Sequence, residues 1–212
     1  MKNEKELLSL FYDAGEYREN LRQPFLQDGK VCASDGYVLI RIDKSICKGR
    51  YLTMPKGLQP PDVSKIMPKS YNMDKPLTAK MLREAMVKVP EDKKAYCLEC
   101  HGKGMVTWTY RDRKGIKHER TSTCPECDGF ERVKPYRAMC QYLLHGCYLV
   151  YKHLAVLFES MSFLGTDELR LRYAEAVDGS PKGMLFTDST EKVEILIMPR
   201  MYDDEKEVIK IV

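Results

Sequence analysis

The sequence predicts an α+β fold of two helix-plus-antiparallel-sheet halves, with a cysteine-bearing β-hairpin inserted between them. Three observations predict it. Amphipathic helical stretches and short β-prone runs occur before residue 95 and again after residue 134. Asp-Gly and Asp-Ser dipeptides punctuate the runs, as tight turns between antiparallel strands require. Between the flanks stand two Cys-x-x-C pairs separated by alternating, β-prone residues. The predicted boundaries are 1–94, 95–134 and 135–212.

Residues 3–13, NEKELLSLFYD, place Leu7, Leu8, Leu10 and Phe11 on one stripe, with Asn3 as the N-cap. Beyond Pro24, the dipeptides Asp28-Gly29 and Asp35-Gly36 bracket strands near 31–34 and 37–42. Pro55, Pro60, Pro61, Pro68 and Pro76 make residues 48–77 irregular. TAKMLREAMVK, residues 78–88, predicts a helix capped by Thr78. Met81, Leu82, Ala85 and Met86 form its apolar face, and Lys80, Arg83 and Lys88 its basic one. After the insert, YRAMCQYLLHGCYLV reads as a strand and 151–161 as a helix with Leu154, Leu157 and Phe158 inward. ELRLRYAEA, GMLFTDS and KVEILIMP follow as three strands, separated at Asp178-Gly179 and Asp188-Ser189.

Composition bounds the possibilities. A 212-residue chain that is 43% hydrophobic and 31% charged is long enough for one or two domains with a real core. No apolar run reaches 18 residues, so no membrane span is expected. The first twenty residues lack a secretory apolar core, which points to the cytoplasm, where thiols stay reduced. The eight cysteines therefore call for something other than disulfides. Cys32, Cys47, Cys140 and Cys147 lie in apolar surroundings and read as small buried hydrophobes. Charge is uneven: residues 44–94 carry 12 Lys+Arg against 5 Asp+Glu, and residues 159–212 carry 7 against 12. Such asymmetry fits an anionic partner on one face, or simply two solvated faces.

The chemistry concentrates in CLECHGKGMVTWTYRDRKGIKHERTSTCPECDGF. Zinc takes four tetrahedral ligands and favours thiolates, and each C-x-x-C turn offers two. MVTWTY and IKHERTST alternate like two strands joined at Arg113–Gly115, which brings Cys97 and Cys100 to Cys124 and Cys127. One structural zinc on these four sulfurs is expected. Four protein ligands leave no open position for catalysis. A lone redox C-x-x-C in a thioredoxin-like unit does not fit two pairs. His101 and His118 stand as outer donors or as plain surface residues. From His101 to Thr121 six Lys+Arg, among them Arg111, Arg113, Lys114 and Lys117, face two acids. Interleaved Trp108 and Tyr110 suit phosphate contact and base stacking. Trp108 has a competing role in packing the hairpin onto the rest of the chain.

Residues 97–104, CLECHGKG, resemble the C-x-x-C-x-G-x-G zinc repeat of the DnaJ chaperone family. Residues 124–131, CPECDGFE, match it until Glu131 replaces the last glycine. Two repeats without a His-Pro-Asp signature imply the zinc knuckle and not chaperone activity. The segment from Tyr148 to Met201 resembles the end of a bacterial sliding clamp, the beta subunit of DNA polymerase III. It has that family's strand, helix and three strands, and Met198-Pro199 stand where the family's closing strand ends. Ala33-Ser34-Asp35-Gly36 resembles the clamp's Ala-Thr-Asp-Gly hairpin. The resemblance implies a DNA-clamp-like domain of bacterial type. It also implies DNA and replication or repair proteins as partners, and a peptide-binding apolar pocket near Leu196, Met198 and Pro199. Those three residues equally suit sheet core. Helices 3–13 and 151–161 are not basic enough to line DNA; the cations lie in 44–94 and on the hairpin.

Three functions compete. The first is a non-catalytic DNA-associated accessory protein, contacting phosphates through Lys80, Arg83, Lys88 and the hairpin cations. The second is an adaptor that grips a peptide with the hairpin or the pocket. The third is an enzyme, for which there is no phosphate loop, nucleophile elbow or paired-histidine metal motif.

Overall fold

The computed structural model describes residues 4–16, 18–51, 61–88, 97, 99–127, 140–177, 180–204 and 206–212. In chain order the elements are α1 (Glu4–Ser9), β1 (Phe25–Gln27), β2 (Lys30–Ser34), β3 (Val38–Asp43), β4 (Lys75–Thr78) and α2 (Ala79–Val87). Then come β5 (Met105–Arg111), β6 (Lys117–Thr123), β7 (Cys140–Leu144), β8 (Cys147–Leu149) and α3 (Tyr151–Leu164). β9 (Glu168–Val177), β10 (Ser180–Thr187), β11 (Val193–Ile197) and β12 (Glu207–Lys210) complete the chain. The chain divides into two compact units, Met1–Lys88 with Gln141–Val212, and Val89–Cys140.

The larger unit is built on a seven-stranded sheet in the order β1-β2-β3-β11-β10-β9-β4. Every pairing in it is antiparallel. β-branched and aliphatic residues alternate along its strands, so register sorts them to two faces. One face aligns Val38, Ile40 and Ile42 with Ile197, Ile195 and Val193, and continues to Met184 and Phe186, all at most 1% exposed. The other buries Phe25, Cys32, Leu39, Leu185 and Leu196 beneath Val63. α3 packs against α1 and α2. α2 is capped by Thr78, whose hydroxyl accepts from the Met81 amide at 3.2 Å. α3 ends at Gly165, whose φ of 69° lets the Thr166 amide return to the Met161 carbonyl. No helix among the described residues is long and apolar enough to cross a membrane.

The structure departs from the expectation at three places. The two flanks do not make separate sheets: β3 pairs with β11 and β4 with β9, so one sheet draws strands from both. The first helix stops at Ser9; Leu10 and Phe11 continue as tighter turns, with amides bonded three residues back to Leu7 and Leu8. Asn3 and Asp178-Gly179 lie outside the described residues. The single strand expected in YRAMCQYLLHGCYLV is the hairpin β7–β8, turned at His145 and Gly146 with φ of 47° and 81°. Two positive φ values in succession are what a two-residue hairpin needs, and histidine tolerates that region better than most residues. The tail forms β12 on β7 in a separate three-stranded sheet, with Ile209 and Ile211 buried.

The Asp35-Gly36 turn shows how one acid organises a corner. Asp35 Oδ1 accepts from the Tyr37 and Val38 amides, both at 2.9 Å, and Oδ2 from Lys152 Nζ at 2.6 Å. Gly36 has φ of 89°, and a Cβ there would lie 2.6 Å from the Arg18 guanidinium. Burial opposes ionisation of Asp35, but Lys152 and the two amides outweigh it and hold the carboxyl below its usual range. The folded pKa is thus lower than the unfolded one, near about 3.9. The stabilisation is complete above that value and is lost as pH falls through it toward the folded pKa. Asp35→Asn is expected to cost about 1–2 kcal/mol at pH 7, since exposed Lys152 adds little. Urea midpoints of the two proteins should converge below about pH 4; an unchanged gap would deny the carboxylate its role.

Candidate metal centre and its hairpin

In the smaller unit β5 and β6 pair over their whole length, from Met105↔Thr123 to Arg111↔Lys117. The Cys-x-x-C turns sit at the open end. The first turn needs three positive φ values, at His101 (49°), Gly102 (76°) and Gly104 (69°), which explains two of its glycines. Its backbone closes through Gly102 N to Cys97 O at 3.2 Å and Lys103 N to Cys100 O at 3.0 Å. The Cys124 amide then donates to Gly104 O at 2.9 Å, bringing the second turn beside the first.

The four sulfurs of Cys97, Cys100, Cys124 and Cys127 are buried and lie within 4.8 Å of one another. Cys97 to Cys124 and Cys100 to Cys127 are each 3.7 Å. A disulfide would bring the sulfurs to about 2.05 Å, and all eight cysteines are free. Four sulfurs around a tetrahedral zinc, each bonded at about 2.3 Å, stand about 3.8 Å apart. The donor set thus has the chemistry and the spacing for such an ion. The Gly104 amide points at Cys100 Sγ from 3.2 Å, a donor suited to a thiolate. Burial pushes the Cys100 thiol up, but that amide and the Cys127 and Cys97 side chains outweigh it and bring it down to about 7. Val106 covers the cluster.

Asp112 builds the opposite end. Its Oδ1 accepts from the Lys114 and Ile116 amides at 2.9 Å each, and Oδ2 lies 3.1 Å from His118 Nε2. His118 first, then those amides, holds the carboxyl below its usual range. Arg111 spends one nitrogen on the Gly115 carbonyl at 3.1 Å. Lys117 pairs with Glu119 at 2.9 Å. Arg113 and Lys114 have no carboxylate partner among the described residues. Trp108 is 50% exposed and Tyr110 56%.

The remaining sequence-derived candidates lie in the larger unit. Lys80 and Arg83 are exposed on α2 and Lys88 at its C-cap; Lys80 is 3.8 Å from Glu84, and Arg83 sits over the Phe158 ring at 5.6 Å. Leu196 is 2% exposed within the apolar cluster, with Met198 packed half-buried against it. Pro199 is half-buried beside it. Residue order names Trp108, Tyr110 and His118 singly; that they share one face with Arg120 follows only from the strand register. The alternation of Trp108 and Tyr110 carried half of that signal; the rest needed the turn's register.

No family model and no curated protein matches the sequence. Solved structures do. The chain is similar to the Helicobacter pylori beta clamp bound to a DNA ligase peptide, at 14% identity and TM-score 0.49, covering 93% of this chain and 62% of that one. It is similar to the DNA polymerase sliding clamp of Caulobacter crescentus, at 13% identity and TM-score 0.49, covering 93% and 64%. It is also similar to the DNA polymerase III beta subunit of Thermotoga maritima, at 11% identity and TM-score 0.49, covering 94% and 63%. The chain thus spans less than two thirds of the length of these structures.

Proposed function

We propose that this chain is a non-catalytic, clamp-like accessory protein that associates with DNA in the bacterial cytoplasm, and that its cysteine module holds one structural zinc ion. The observation that supports it best is the joining of a closed four-thiolate site to a cation-bearing hairpin. Zinc held by four sulfurs has no position open for a substrate. When bound it supplies cross-linking, fixing both knuckles and the register of the hairpin. The zinc–thiolate group carries net charge −2, so the positive field belongs to the far end of the hairpin. There Arg113 and Lys114 form no ion pair among the described residues and outnumber the one acid of the turn, Asp112. Lys80 and Arg83 on α2, with Lys88 at its C-cap, supply a second exposed cationic set.

The test is titration of a labelled duplex at several salt concentrations. Binding is expected to saturate and to weaken as salt rises, because phosphate contacts release counterions. Replacing Arg111, Arg113 and Lys114 together by alanine should flatten the log–log salt slope by about 2–3, at about 0.9 per phosphate contact. An unchanged slope rejects the hairpin as the contact. Absence of binding at low salt turns the reading to a peptide adaptor, for which half-buried Met67, Tyr173 and Met198 beside the Leu196 cluster supply adaptable apolar surface.

A further inference from the structure

The strand register places Trp108, Tyr110, His118 and Arg120 on one face of the hairpin, since Trp108 pairs with Arg120 and Tyr110 with His118. The rings are tied in place and yet open to water. The Trp108 indole donates to Ser122 Oγ at 2.8 Å. The Tyr110 ring stacks on His118 with centroids 5.1 Å apart and an interplanar angle of 18°. Two large aromatics, each at least half exposed and each held by a polar neighbour, form a surface with a purpose beyond packing.

Charge selects the occupant. Glu119 points from the opposite face, where it pairs with Lys117. Asp112 lies in the turn and is filled by two amides and His118. Arg120 has no carboxylate partner among the described residues, nor do Arg113 and Lys114. The face thus joins flat π surfaces to Arg120, and the adjoining turn adds Arg113 and Lys114 against the single carboxylate of Asp112, a net positive set that matches a ligand of rings on an anionic backbone. Spacing then selects the strand state. Successive same-face residues stand about 6.8 Å apart along a strand. That is twice the about 3.4 Å between stacked nucleotides in a duplex, whose base faces are in any case covered by one another.

We propose that this face binds single-stranded nucleic acid, with bases stacked on Trp108 and Tyr110 and phosphates held by Arg120, Arg113 and Lys114. This rests on the DNA-associated reading and narrows it to splayed, unpaired nucleotides at the hairpin.

Trp108 is the only tryptophan, so its emission reads the site without a label. The zinc-loaded full chain is titrated with a ten-nucleotide oligothymidine, an abasic phosphate strand of equal length, and a duplex of equal length. Oligothymidine is expected to quench emission saturably and to bind about five- to 150-fold tighter than the abasic strand, the range of one base–aromatic stack. Trp108→Ala, followed by anisotropy of a labelled strand, should lose affinity by a similar factor, and Trp108→Phe should recover most of it. Zinc content and far-UV circular dichroism verify that both variants fold. A parallel oligouridine titration separates RNA from DNA as the strand, and tighter binding of either supports the site. Equal affinity for abasic and base-bearing strands, or an unaffected Trp108→Ala, overturns the proposal. Salt-dependent duplex binding without preference for the single strand overturns it while leaving DNA association standing. Failure of every nucleic acid to bind removes both.

Discussion

Stripping the metal with a chelator, or replacing Cys124 by serine, is expected to unfold the cysteine module while the larger unit keeps its cooperative transition. Among its described residues the module has a small core. Its buried cluster is four cysteines with Val106 against them, and most of β5 and β6 is exposed. A two-stranded hairpin is marginal alone in water. On the proposed zinc assignment, binding energy at such a site, about 10–16 kcal/mol in small zinc domains, would be folding energy here. The larger unit contributes none of the four sulfurs and has its own apolar core. Elemental analysis should give one zinc per wild-type chain and a clear deficit in Cys124→Ser. Limited proteolysis should then cut first within residues 89–140, and Trp108 emission should shift toward that of free indole in water. A zinc-free module that resists protease as well as the loaded one would mean that sulfur packing alone holds it, and the metal assignment would fall.

Phe186→Ala is expected to cost about 3–5 kcal/mol, the range for truncating a fully buried phenylalanine. Phe186 is fully buried on β10, an interior strand of the seven-stranded sheet, flanked by Ile195 on β11 and Leu171 on β9. Its ring fills one face together with Met184, and neither neighbouring strand can shift to close the hole without breaking register. Against a total of about 5–15 kcal/mol, such a loss leaves the unit near unfolding. Urea denaturation followed by far-UV circular dichroism measures it. A loss below about 1 kcal/mol would show that this face collapses freely, contrary to a close-packed core.

What was legible in the residues is what is local. The C-x-x-C turns, the β5–β6 alternation and the Asp112 turn lie within one continuous stretch, and their chemistry needs only short separations. Thr78 as a cap and the Asp35 corner are equally local, and both stand where residue type places them. Sheet order was not legible. Ile40 pairs with Ile195 and Leu77 with Leu169, choices made by long-range burial that no window of sequence contains. The β7–β8 turn was hidden because His145, not glycine or asparagine, takes the first left-handed position. Trp108 had two open roles, and only its exposure and its bond to Ser122 weigh between them. Leu196, open in the sequence between pocket and sheet core, lies 2% exposed within the apolar cluster.

The sharing of one sheet between both flanks also orders events during synthesis. β3 and β4 emerge from the ribosome long before β11 and β9, their partners in the finished sheet. Until those strands arrive, the apolar β3 has one edge unpaired and β4 has no partner, and both are open to wrong pairing. The four clustered cysteines, close together in sequence, emerge in the interval. The sheet, dominated by distant pairings, is thus expected to set the pace of folding in the larger unit.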